Sequence, residues 1–331
     1  MKKIAVLTSG GDSPAMNAAL RAITLSCGYH QLQCVGFYHG YNGLIDDQHV
    51  DMQNLNINSA LQHGGTILKS ARCHSMLSNE GVMQACNTLR KHDIDALIVI
   101  GGDGSLKGLQ AIKQHWKRQV IGLPGTIDND LNGTDNTIGF STAVTTATHA
   151  IDKIRDTANA FERVFIVEVM GRHSGHIAFN VGIATGAEAI ISFENFSKDQ
   201  ANIKVNEILK AIEKQASTHG SFLIILAENL WPGGAQALKE SLNKQGQLNS
   251  AMCILGHIQR GGSPTPEDRN LATELGLASV DAILNSKDNI MIGKCSGTVV
   301  ETTLNDVINT PKQLNTGWVN AHQEQLTYYL K

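Results

Sequence analysis

The chain is short of several things, and each shortage narrows what it can be. Only six of its 331 residues are cysteine, and Cys27, Cys34, Cys73, Cys86, Cys253 and Cys295 contain no CxxC pair. That spacing excludes a zinc ribbon and a disulfide framework and leaves buried free thiols as the expectation. With only six prolines, helices can run long between breaks. No apolar run approaches the roughly 18–20 residues a membrane helix needs. The opening MKKIAVL imitates a signal peptide, but Ser9, Gly10, Gly11 and Asp12 end the run too early, so a cytoplasmic protein with no membrane partner is expected. No block of five like charges occurs and the net charge is -3, which disfavours nucleic acid as a partner. Low-complexity tracts are missing as well, and 42% hydrophobic against 17% charged residues marks a chain able to fill a core. Its length exceeds what one core usually organises, so two lobes are expected.

Glycine is abundant instead. There are 32 glycines, above the usual share of about 7%, and they cluster behind apolar runs. Short β-branched runs at 4–7, 96–100, 120–123, 164–169, 222–226 and 252–255 read as fully buried strands. The clearest helix lies over 140–158, where Val144, Ala147, Ile151, Ile154 and Ala158 share one face. Further helices are expected near 16–27, 79–91, 105–115, 203–217 and 267–286. Alternating strands and helices predict an α/β fold of doubly wound, mainly parallel sheets.

Each run ends in a polar or glycine-rich cluster: SGGD at 9–12, GGDGS at 101–105, PGTIDND at 124–130, MGR at 170–172, Glu228, and GHIQRGG at 256–262. Ligands of open α/β sheets sit beyond the carboxyl ends of the strands, so the clusters predict one shared cleft. The first two are anion sites by the logic of helix N-termini. Asp103 inside a phosphate-facing loop would repel its ligand unless a cation lay between, which makes it a magnesium partner; the competing reading is a helix cap. Asp128 with Thr126 suits the positioning carboxylate that phosphoryl transfer requires. Arg163, Arg172, His257 and Arg260 read as a phosphate clamp, each charge-assisted bond contributing about 1.5–3 kcal/mol. Two nucleotide motifs are missing. GGTILKS at 64–70 has Leu68 where a P-loop has its second glycine, and GDGSLKG at 102–108 is not GxGxxG. An NAD-dependent dehydrogenase is therefore the weaker reading.

Taken together, LTSGGDSPAMNAA, GGDGS, PGTIDND, VEVMGRHSG and LGHIQRGGSP resemble the bacterial type of ATP-dependent 6-phosphofructokinases. The resemblance implies two Rossmann-like lobes, 1–139 plus 259–309 for ATP and 140–258 plus 310–331 for the sugar phosphate. It implies a homotetramer with sites shared between subunits, and transfer of the γ-phosphoryl of MgATP to the 1-hydroxyl of fructose 6-phosphate. Gly11, Arg72, Cys73, Gly102, Asp103, Gly104 and Ser105 would hold ATP, with Asp103 serving Mg2+. Asp128 would be the base, flanked by Thr126, Ile127 and Asp130, with Arg72 and Arg172 stabilising charge. Met170, Gly171, Arg172 and Glu228 would line the sugar. His257, Ile258, Gln259 and Arg260 would complete the phosphate site with Arg163 of a neighbouring subunit.

Members that use pyrophosphate carry an aspartate where this chain has Gly104 and a lysine where it has Gly125, so ATP is the expected donor. Ala251 stands where the bacterial enzymes usually place a second clamp arginine. That loss would weaken sugar-phosphate binding by roughly tenfold to a hundredfold unless Lys244 or a different substrate, such as sedoheptulose 7-phosphate, compensates. A sensor that kept the fold without the chemistry is the non-enzymatic alternative. At the effector site of the family, Arg21, Arg155, Gly186 and Glu188 match, but Leu25, Asn54, Ser217, His219 and Gly220 replace basic residues. Weak or absent activation by ADP is expected.

Overall fold

The computed structural model describes residues 2–215 and 220–330. The chain begins with β1 (Lys3–Ser9), α1 (Met16–Tyr29), β2 (Gln33–Phe37), α2 (Tyr41–Ile45), β3 (His49–Asp51), α3 (Asn79–Lys91), β4 (Ala96–Gly101), α4 (Asp103–His115) and β5 (Gln119–Pro124). It continues through α5 (Phe140–Ala160), β6 (Val164–Val169), α6 (His176–Ala184), β7 (Ala189–Ile191), α7 (Ala201–Gln215), β8 (Phe222–Ala227), α8 (Gly234–Gly246) and β9 (Ala251–Ile254). The last elements are α9 (Pro266–Leu284), β10 (Ile290–Cys295), β11 (Thr298–Thr303), α10 (Leu304–Asn309) and α11 (Thr316–Leu330). The chain divides into two compact units, Met1–Thr142 with Arg260–Lys312, and Ala143–Gln259 with Gln313–Lys331.

The first unit is built on a seven-stranded sheet of order β11-β10-β5-β4-β1-β2-β3. Its pairs are parallel except β2–β3 and β10–β11 at the two edges. Alternate residues of β1 serve opposite faces: Ile4 and Val6 pack with α1 and α9, and Ala5 and Leu7 with α3 and α4. Because both faces are covered, the central strands have no polar side and read as unbroken apolar runs. Helices α1 and α9 come from opposite ends of the chain and approach very closely. A Cβ on Gly276 would meet Ala22 Cβ at 2.8 Å and the Ala19 carbonyl at 2.9 Å.

Asp268, near the start of α9, is buried and ties down the chain entering α5. Its carboxylate accepts Gly139 N–H at 2.9 Å, Thr142 N–H at 2.7 Å and the Thr142 hydroxyl at 2.5 Å. Burial pushes its carboxyl up, against these donors, which pull it down.

The second unit has an all-parallel sheet of order β7-β8-β6-β9. Central β8 is buried throughout, whereas β9 is an edge strand with Ile254 55% exposed. The run at 252–255 is therefore not the fully buried strand its composition predicts, because β9 has a neighbour on one side only. Nor are all the thiols buried: all six cysteines are free, but Cys73 lies in a loop, Cys253 in β9 and Cys295 at the end of β10, each partly exposed. The helix expected over 203–217 is α7; residues 216 and 217 lie outside the described residues.

Candidate active site

In the first unit, β1 and β4 end side by side, with Ser9 opposite Gly101. Residue 101 has to be glycine, since a Cβ would lie 2.6 Å from the Ser105 side chain and 2.7 Å from the Ser9 carbonyl. Gly102 then occupies the N-cap of α4, and Asp103, Gly104 and Ser105 form its first turn. This end of a helix carries positive charge and suits a phosphate. Asp103 is not the cap. It reaches forward to Lys107 Nζ at 2.8 Å and keeps about a third of its side chain open to solvent, 29%. A Cβ on Gly104 would meet nothing within 4 Å.

The segment 69–73 lies against the first glycine turn. Gly10 N–H donates to the Ala71 carbonyl at 3.2 Å and Ser70 Oγ to the Gly10 carbonyl at 2.8 Å. Exposed Arg72 and half-buried Cys73 follow directly. Arg260, expected with the sugar-phosphate residues, sits on this turn. Its Nη1 donates to the Asp12 carbonyl at 3.0 Å and stands 2.7 Å from where a Cβ on Gly11 would lie.

β5 delivers the acidic loop. Gly125 is packed so tightly that a Cβ would come within 2.8 Å of Ile100 Cγ2. Thr126 and Asp128 are 8% and 6% exposed, and Asp128 N–H donates to Thr126 Oγ1 at 3.2 Å. Ile127 between them is fully buried, so only its main chain can serve a ligand. Asp130 is half-buried at the loop surface. Asn129, in the left-handed region at φ 53°, turns its side chain inward. Its Oδ1 accepts Thr137 N–H at 3.0 Å and its Nδ2 donates to the Asp135 carbonyl at 3.2 Å. Thr137 Oγ1 closes the loop on the Thr126 carbonyl at 2.5 Å. Lys312, which sequence reasoning missed, donates to Asn129 Oδ1 at 2.8 Å and to the Asp135 carbonyl at 2.6 Å.

In the second unit, the ends of β6 and β8 hold the remaining candidates. Glu228 Oε1 accepts Gly171 N–H at 3.2 Å and Arg172 N–H at 2.8 Å, fixing a turn in which Arg172 takes φ 57° and stays exposed. Asn229 Nδ2 adds a bond to the Arg172 carbonyl at 3.2 Å. Gln259, expected among the substrate residues, is fully buried and spends its side chain on Met170 N–H at 3.3 Å and the Gly256 carbonyl at 3.1 Å. It positions the Met170 turn and offers no side-chain atom outward. His257 and Ile258 are exposed on the turn after β9. Arg163 stands before β6 with its guanidinium 5.0 Å from the centre of the exposed Phe161 ring.

Of the candidate effector residues, Arg155 is fully engaged inside the unit. It bonds both Glu188 oxygens at 2.8 and 3.0 Å, the Thr185 carbonyl at 3.1 Å and the Gly186 carbonyl at 2.7 Å. Arg21 bonds Asn58 Oδ1 at 2.9 Å, and Leu25 is exposed. Ser217 and His219 lie outside the described residues. Among the described residues one trio, Asp47, His49 and His92, gathers the donor atoms a metal ion could use. Its carboxylate is already held by Lys91 at 2.7 Å and His92 at 2.5 Å, which keep the Asp47 carboxyl at about 2.

A family model described as Phosphofructokinase matches residues 3–283. ATP-dependent 6-phosphofructokinase 2 of Bacteroides thetaiotaomicron is 44% identical over 325 residues, 98% of either chain. ATP-dependent 6-phosphofructokinase 1 of Thermus thermophilus is 42% identical over 323 residues, 98% of this chain and 99% of that one. The solved structure of phosphofructokinase from Saccharomyces cerevisiae superposes with a TM-score of 0.88 at 33% identity. It matches all of this chain, which spans 48% of the yeast one.

Proposed function

The chain belongs to the phosphofructokinase family, and on that premise we propose that it transfers the γ-phosphoryl of MgATP to the 1-hydroxyl of D-fructose 6-phosphate, giving fructose 1,6-bisphosphate and ADP. The observation that carries this reading is the acidic loop: a buried Asp128, braced by Thr126, follows β5 of the same sheet whose β4 leads into the glycine turn of Asp103. The first-turn amides of α4 and the Arg72 guanidinium suit ATP phosphates. Asp103 fits a magnesium site, being a partly exposed carboxylate beside open space at Gly104. Bound there, Mg2+ would neutralise charge developing on the transferred phosphoryl.

As the sugar 1-oxygen forms its bond to the γ-phosphorus, its proton passes to Asp128 and the bond to the β-phosphate oxygen breaks, leaving ADP. Such a base typically contributes about 10² to 10⁴ in rate. Thr126 and Asp130 flank that transfer. Arg172, held outward by the Glu228 turn, stabilises the charge. Glu228 Oε2, Met170 and Gly171 receive the sugar, and His257 receives the 6-phosphate. Arg260, whose guanidinium stands beside the Gly11 turn, joins His257 on the 6-phosphate in this proposal.

We further propose a cytoplasmic homotetramer in which Arg163 serves a neighbouring subunit. Its exposed seat on Phe161 and the exposed Ile254 and Ile258 support that reading. No helix among the described residues is long and apolar enough to cross a membrane. The test is ADP release from MgATP with fructose 6-phosphate, with sedoheptulose 7-phosphate and with no acceptor, repeated with pyrophosphate as donor. Turnover confined to ATP and fructose 6-phosphate supports the proposal and makes Ala251 a tolerated loss. Preference for another acceptor or donor, or no turnover at all, overturns it.

A further inference from the structure

Lys312 closes the last stretch of the first unit, after α10, far in sequence from the loop it touches. Its ammonium donates to the side-chain oxygen of Asn129 and to the main-chain oxygen of Asp135, so one cation bridges both ends of the loop that carries Asp128 and Asp130. Asn129 is the pivot between those two carboxylates. It holds a left-handed backbone that few residues other than glycine, asparagine and aspartate adopt without cost, and its own side chain spans the same gap to Asp135 and Thr137. The position of Asp128 therefore depends on a knot of four residues, Asn129, Asp135, Thr137 and Lys312, of which Lys312 brings a full charge.

We infer that Lys312 is a positioning residue for phosphoryl transfer, its ammonium locking the Asn129 pivot and thereby fixing the two loop carboxylates that face the substrates. This rests on the kinase reading above. The groups facing Lys312 are Asp135, Cys295 and Asp130, whose charges favour its protonated form. Burial outweighs them and brings its pKa from the usual 10.5 to about 8. Above that pH the bridge loses its charge while the carbonyls it held stay in place, and the loop relaxes. Because an unfolded lysine still binds its proton there, this group makes the fold more stable between pH 8 and 10.5. Turnover and stability thus respond to alkali with opposite signs at this residue.

The experiment compares wild type with Lys312→Met and Lys312→Arg for kcat and both KM values from pH 6.5 to 9.5, alongside unfolding temperature and amide exchange over 126–137. In wild type, kcat falls above pH 8. Lys312→Met lowers kcat at pH 7.5 by tenfold or more, leaves both KM values within threefold and loses that alkaline limb. Lys312→Arg, always charged, recovers at least part of kcat and carries it beyond pH 9. The Thr137 amide exchanges at least tenfold faster in the Met variant, a readout that needs no turnover. Wild-type kcat and an unchanged alkaline limb in Lys312→Met overturn the inference, as does unchanged exchange at Thr137. A wild-type protein without kinase activity overturns the kinase reading instead, and the exchange comparison then still decides what Lys312 does to the loop.

Discussion

Asp128→Ser keeps a small polar group beside Thr126 but removes the proposed proton acceptor. Its kcat is expected to drop by about 10² to 10⁴ with KM for either substrate changed far less, and initial-rate kinetics will read this directly. Undiminished kcat would take Asp128 out of the role of base. His322 makes a different kind of prediction. It is 3% exposed in α11, edge-on to Phe179 with centroids 6.1 Å apart, and among the described residues neither ring nitrogen finds a hydrogen-bond partner. Burial, with a smaller contribution from Lys204, lowers its pKa to about 4. An unfolded histidine titrates near 6.5, so the folded state binds fewer protons between these values. The contribution is whole above about pH 6.5 and is lost as pH falls towards 4, the loss reaching about 2 kcal/mol at pH 5. Urea unfolding at pH 7 and pH 5 should show that slope in wild type and a shallower one in His322→Phe. Equal slopes would assign the acid sensitivity elsewhere.

At the scale of elements, Asp268 joins α9 to the start of α5 through three donors. Asp268→Asn replaces one accepting oxygen by an NH2 group that cannot accept, at an expected cost of about 1.5–3 kcal/mol, seen as a lower thermal midpoint. A midpoint unchanged within error would show that the junction does not need the carboxylate. This joint also shows what a sequence conveys. The central strands and the long α5 were legible because an unbroken apolar run and a 3.6-residue period each have a single physical cause. Strands β2, β3, β10 and β11, at the two edges and next to them, were not, since β10 and β11 keep much of their length half exposed and carry lysine and glutamate among the apolar residues. Helix α6 escaped because HIAFNVGIA is nearly apolar all round and so shows no face. Polar candidates behind strands, such as Asp103, Asp128 and Arg172, could be named because strand ends mark a ligand's place. Lys312 could not, for its only signal is a lysine one residue after Pro311, and its partners lie at 129 and 135. Ile127 and Gln259, expected at the substrate site from the resemblance, have side chains that face inward.

For the whole molecule, the expectation concerns regulation. Arg155 is consumed by Glu188 and two carbonyls, and Leu25, expected to stand in place of a basic residue, is exposed. ADP at fixed MgATP should leave the half-saturating fructose 6-phosphate concentration unchanged; a sharp fall would mean that the Arg155 bonds open for a diphosphate. Helix α1 lies against α9 so closely that only glycine fits at 276. The core of the first unit draws on Ile4, Leu20 and Ile98 at one end of the chain and on Leu275, Ile283 and Ile292 at the other. During synthesis the early segment must wait while all of residues 143–259 are made, on the order of ten seconds at roughly 5–20 residues per second. Over that interval the strip of α1 that packs on α9 has no partner from its own chain. A nascent chain arrested just before α9 should therefore be cut by protease within its first 140 residues and bind chaperones, and one arrested well beyond β11 should resist.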